Sequence, residues 1–167
     1  MLPKKRNRAG STTIEFVLVG IPVIFLIIST FEIARAMWVY QTLSHTAHSV
    51  TRHVAVKGAG CGGTNTCSQT IGYFATDFAN ISSGMDASQM SVTFYSQSTS
   101  VTCNPLNTCL ANSTVWPPAN DNAVGNDVRI AANIPFPNAL AMFWPGSGSV
   151  PFSTFRFSAY SRQRILF

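Results

Sequence analysis

The chain has 167 residues, a formal charge of +5 and only 10% charged side chains. A soluble domain usually carries roughly 25%, so Ser, Thr, Asn and Gly supply most of the polarity here. The positive balance alone would point to nucleic acid or another acidic surface. Its distribution argues against nucleic acid: Lys4, Lys5, Arg6 and Arg8 precede Gly10, and only seven of the 11 basic residues remain against six acidic ones.

A basic head followed by an apolar run directs membrane insertion with the head left in the cytoplasm. Here the head leads through Gly10 and Ser11 into Ile14-Glu15-Phe16 and an apolar run that reaches Phe31. At about 1.5 Å per residue, 11–31 spans roughly 30 Å, enough for a bilayer core. Pro22 would break a soluble helix but is tolerated in a membrane helix whose neighbours satisfy the freed carbonyl. Gly20 adds flexibility or lets another helix approach. Glu15 is the exception in this run, because a carboxylate at the mouth of a span is costly unless paired or wetted.

The spacing predicts one continuous helix over about 12–56. Beyond Glu32 it becomes amphipathic: Ile33, Ala36, Tyr40, Leu43, Ala47, Val50 and Val54 recur at threes and fours. Arg35, Gln41, Ser44, His48, Ser49 and Arg52 fall off that stripe. The stripe is expected to pack on the chain's own globular domain on one side and to leave the other side for a further contact. Gly58 and Gly60 are expected to end the helix.

Gly10, Glu15, Phe16 and Pro22, then Phe31-Glu32-Ile33-Ala34-Arg35, then the helical stretch through Ala47, Arg52 and Ala55, resemble the TadE-like pseudopilins of tight-adherence (type IVc) pilus systems. The resemblance covers about the first third of the chain. It implies cleavage by a prepilin peptidase between Gly10 and Ser11, leaving Glu15 as the fifth residue of the mature chain. It further implies that Glu15 pairs with the new α-amine of a neighbouring subunit, which is a cation near pH 7. Its implied partners are the inner membrane, the peptidase, other pilins and the pilus assembly platform. A rival cleavage site, Ala34-Arg35-Ala36, fits a secretory signal. Against it, the apolar run is too long, charges crowd the site, and cleavage there would split the stripe.

Cys61, Cys67, Cys103 and Cys109 all follow the span, on the side where disulfides persist. Each neighbouring pair encloses five turn-forming residues, which favours Cys61–Cys67 and Cys103–Cys109 as local staples. Cross-pairing between the two loops is the alternative. A four-Cys zinc site normally has closer spacing.

The remainder reads as a small α+β domain, pilin-like in plan, with a short helix and an antiparallel sheet. Ile71, Phe74, Phe78 and Ile81 predict a helix over 68–81, capped by Ser68. A strand is expected over 91–97. Alternation at Val128, Ile130, Ala132, Ile134 and Phe136, and again at Phe155, Phe157 and Ala159, predicts an antiparallel pair. Residues 113–125 read as Pro/Asn-rich loop. The connector 138–150 is apolar enough that Phe143 and Trp144 are candidate contacts for a subunit or membrane surface, or else a lid on the core.

The expected division is therefore a leader at 1–10, a helix at 11–57 and an exported domain at 58–167, in the periplasm beyond a single inner-membrane span. No enzymatic role is expected. His45, His48 and His53 spread over about 140° of helix without a completing carboxylate. Asp77, Asp86, Asp121 and Asp127 lack a matched nucleophile and base, and no phosphate-binding or nucleophile-elbow motif is present. No metal or cofactor is expected.

Overall fold

The computed structural model describes residues 9–57, 69–137 and 154–166. Gly58, Gly60, Cys61, Cys67, Ser68, Phe143 and Trp144 lie outside them. Helix α1 runs Ala9–Lys57 and passes through Pro22 without ending. Its 49 residues make it about 74 Å long, far more than a bilayer core needs. Helix α2 follows at Ile71–Ile81. Strands β1 (Ser91–Tyr95) and β2 (Ser100–Cys103), a 3-10 turn at Leu106–Cys109, and strands β3 (Asp127–Pro137) and β4 (Thr154–Arg164) complete the order. The fold is α+β.

The sheet is antiparallel in the order β2-β1-β3-β4. Alternation along β3 buries Val128, Ile130, Ala132, Ile134 and Phe136 and turns their neighbours outward. Pairing of Ile130 with Ser161 and of Ala132 with Ala159 fixes the register that puts both inner faces against α1. A slip of one residue would turn the core face to solvent. The expected β3–β4 pair is present and somewhat longer than the alternation alone predicted.

Helix α1 lies across β3 and β4, running parallel to β4. Tyr40 meets Phe157 edge-on, His48 reaches Ser161, and the Leu166 N–H donates to the Ala55 carbonyl. Leu43, Ala47, Val50 and Val54 are fully buried in this contact, so the outer part of the predicted stripe is core. Thr46 and Thr51 are buried with them, and each hydroxyl donates to the carbonyl four residues back. That local bond lets a polar side chain enter the core without losing its partner. Lower on the stripe, Ile33 is 61% exposed and Tyr40 49%.

Three details differ from the sequence reading. The cap of α2 is Thr70, whose Oγ1 accepts from the Tyr73 N–H; Ser68 lies outside the described residues. The first strand stops at Tyr95, where a Ser96–Thr99 turn folds the chain into β2, a strand that short mixed polarity had hidden. Loop residue Trp116 is a core residue at 2% exposure, edge-on to both Phe74 and Phe94.

Cys103 is bonded to Cys109, closing the end of β2 onto the 3-10 turn. Cys61 and Cys67 fall outside the described residues. Close packing beside this staple leaves no room at Gly72: a Cβ there would sit 2.6 Å from the Leu110 carbonyl oxygen.

Candidate assembly surface

From Thr13 to Thr42 no residue of α1 is buried. Phe16 is 78% exposed, Leu18 70%, Leu26 67% and Phe31 73%. Contiguous apolar area of this extent marks a surface that something else covers. The helix is long and apolar enough to cross a membrane by length and composition. A helix apolar on every side is one that lipid or other helices surround.

Glu15 and Pro22 are seven residues apart, so they share one side of α1 two turns apart. On the same stretch Ile14, Val17, Leu18, Ile21 and Pro22 line a shallow apolar groove. Phe16 projects about 100° away. Gly20 faces open space, with nothing within 4 Å of a Cβ built there, so this chain's own packing does not require a glycine. Gly10 and Ser11 occupy the first turns of the helix. The structure thus brings Glu15 and Pro22 onto one face, beside a groove that another helix could fill.

The apolar stretch ends at a junction with the domain. Arg35 pairs with Glu32 at 3.5 Å, one turn below. Its Nη2 also donates to the Pro137 carbonyl, and its guanidinium lies 4.5 Å from the centre of the Phe136 ring. One side chain therefore ties the helix to the last residues of β3 across 102 positions of sequence. Just above, the indole of Trp38 covers Gly84, which has φ +79°; a Cβ there would lie 2.6 Å from the ring. Glycine is required at that turn by both backbone and space.

The histidines point to separate partners. His48 contacts Ser161 Oγ at 3.1 Å and His53 contacts Asp77 at 2.9 Å; His45 is exposed. The sequence offered no nearby carboxylate to these histidines, and the fold supplies one to His53 from α2.

Charges beyond α1 are segregated. Arg129, Arg156, Arg162 and Arg164 are the only basic residues after Lys57, and strand alternation places all four on the sheet face away from α1. Arg129 lies between the Tyr95 and Tyr160 rings, at 5.3 and 4.9 Å. Arg162 hydrogen-bonds to Asp127 and, with Arg164, holds its carboxyl below the usual range. At the β1–β2 turn, Asp121 accepts from the Ser96 hydroxyl at 2.6 Å, the Ser98 hydroxyl at 2.7 Å and the Ser98 N–H at 2.8 Å. These bonds, the Ser96 hydroxyl first, lower its pKa.

Residues 10–52 match the family model described as TadE-like protein. Over that segment the chain is similar to TadE-like proteins. The match covers Glu15, Phe16, Pro22, Glu32 and Arg35 and ends at Arg52, before α2 and the sheet. No curated protein and no solved structure matches the chain. The TadE-like region is thus the helix that carries both the exposed apolar surface and the inner wall of the domain core.

Proposed function

We propose that the protein is a non-enzymatic minor pilin, or pseudopilin, of a tight-adherence pilus. It enters the inner membrane with its basic head in the cytoplasm and loses that head to a prepilin peptidase between Gly10 and Ser11. It then contributes α1 to pilus assembly for adhesion or surface colonisation, with the α+β domain on the periplasmic side. The observation that carries this reading is the exposed, all-round apolar surface of α1 inside the TadE-like match.

Within that reading, Glu15 works as an assembly residue. A carboxylate among packed apolar helices is expensive by itself and far less so beside a cation. Cleavage creates such a cation at Ser11, and a neighbouring subunit's amine at that level would set the axial register of the fibre. Phe16 and Pro22 shape the adjoining surface.

The experiment is N-terminal sequencing of the membrane protein together with its recovery from sheared pili. A mature chain that begins at Ser11 and co-purifies with pili is expected. A chain beginning at Met37 would instead fit a secreted domain. Glu15→Ala should insert and be cut normally while assembly is strongly reduced; normal assembly would remove the role given to Glu15. A correctly cut protein that never enters pili would favour the alternative, a membrane-anchored envelope protein that binds a surface ligand.

A further inference from the structure

The junction between α1 and the sheet has a definite level along the helix. The span read over 11–31 is long enough for a bilayer core. Arg35 then lies about 6 Å beyond the hydrocarbon and Trp38 about 10 Å beyond, less where the helix tilts. The headgroup layer on each side is only about 5–8 Å deep. These residues therefore fall within the polar layer or at its outer edge, where Trp, Tyr and Arg are favoured.

The domain comes down to the same level. Arg35 holds the Pro137 carbonyl and stacks on Phe136. Strand pairing places Phe155 opposite Phe136 and Arg156 opposite Pro135. Phe155 is 45% exposed and Trp38 49%, although both sit beside packed elements. Arg156 is exposed on the opposite sheet face, the one turned away from α1. Aromatic rings and a cation thus project from the end of the domain that continues into the span.

We infer that this lower end of the domain rests on the phospholipid headgroup layer, with Trp38, Phe155 and Arg156 as its lipid-facing side chains. The continuity of α1 from the span into the junction selects lipid as the occupant. The phosphate layer complements the arginines, and the aromatic edges suit the boundary with hydrocarbon. Because Arg35 joins helix to strand at this level, the domain does not swing freely above the membrane. The inference rests on the membrane-spanning reading of α1.

The test uses the full chain in vesicles of phosphatidylethanolamine and phosphatidylglycerol, at about one chain per vesicle. A photo-crosslinking phenylalanine analogue replaces Ile24, Phe155 or Tyr73 in turn, all of them exposed. Tyr73 is the distant control, beside Lys57 and so about 29 Å above Trp38 along the helix. Lipid adducts detected by mass at Ile24 and at Phe155, with none above background at Tyr73, are expected. Adducts at Ile24 without adducts at Phe155 overturn the inference and leave the span intact. Chain-to-chain adducts at Phe155 in place of lipid overturn it in favour of a subunit contact. No adducts at Ile24 overturn the span and the inference together.

Discussion

Between Ile14 and Ile33, α1 is apolar on nearly every side; between Leu43 and Ala55 it is apolar on one. In the first region every described side chain is exposed or only partly covered. In the second, Leu43, Ala47, Val50 and Val54 disappear against the sheet. A stripe tells a helix which face to bury. An all-round apolar surface names no face, so its partner is lipid or a bundle of other helices. The same helix thus has two environments, and the change falls at Glu32 and Arg35.

The comparison is sharpest in paired truncations. Leu43→Ala should destabilise the domain by about 2–5 kcal/mol, the usual range for a cavity in a packed core. Ile24→Ala, 58% exposed, should leave domain unfolding unchanged. Denaturant titration of detergent-solubilised protein carrying Trp116 as its single tryptophan (Trp38 and Trp144 replaced by Phe in both variants and their parent), followed by its fluorescence, separates the two. Equal losses would mean that the lower helix also stabilises the domain.

A smaller effect is expected where the regions meet. Arg35→Ala removes one hydrogen bond, one cation–π contact and the pair with Glu32, together worth about 1–2 kcal/mol at a partly exposed site. Hydrogen exchange should quicken near Phe136, at the end of β3, and not near Ile130. Unchanged exchange at Phe136 would show that the junction holds without Arg35.

The smallest change lies away from the apolar stretch of α1, at the β1–β2 turn. Because the pKa of Asp121 is lowered in the fold, its stabilising contribution is fully present above the unfolded value of about 3.9 and fades as pH falls through the folded value. Asp121→Asn should lower the thermal midpoint at neutral pH and flatten the decline in acid. A decline in acid identical to that of the parent would assign acid sensitivity to Asp127 or Asp86, whose pKa values are also lowered.

How far the sequence could be read follows from the range of each interaction. The spacing of Ile71, Phe74 and Phe78 and the alternation through β3 and β4 are local patterns, and both gave the right elements. β2 has four residues, too few for a period to emerge from Ser-Val-Thr-Cys. Trp116 looked like loop because its neighbours are prolines and polar residues; its burial depends on Phe74 and Phe94, far away in the chain. The tie from Arg35 to Pro137 was likewise hidden, because the two are 102 positions apart in sequence. Glu15, Phe16 and Pro22 stand out in the sequence because they lie in one helical segment, and the assembly role proposed for them awaits the test given above. An assembly partner on another chain cannot be named from spacing or packing within this one.

The shared helix also sets how load would pass through the molecule. The interlocked side chains from Leu43 to Val54 couple α1 to β3 and β4 along several turns. A pull along the axis from the lower end would therefore be met in shear by many contacts at once, rather than by peeling one contact at a time. The domain would travel with the helix as cargo on a rod, and extraction of the rod from its surroundings would not require the sheet to open.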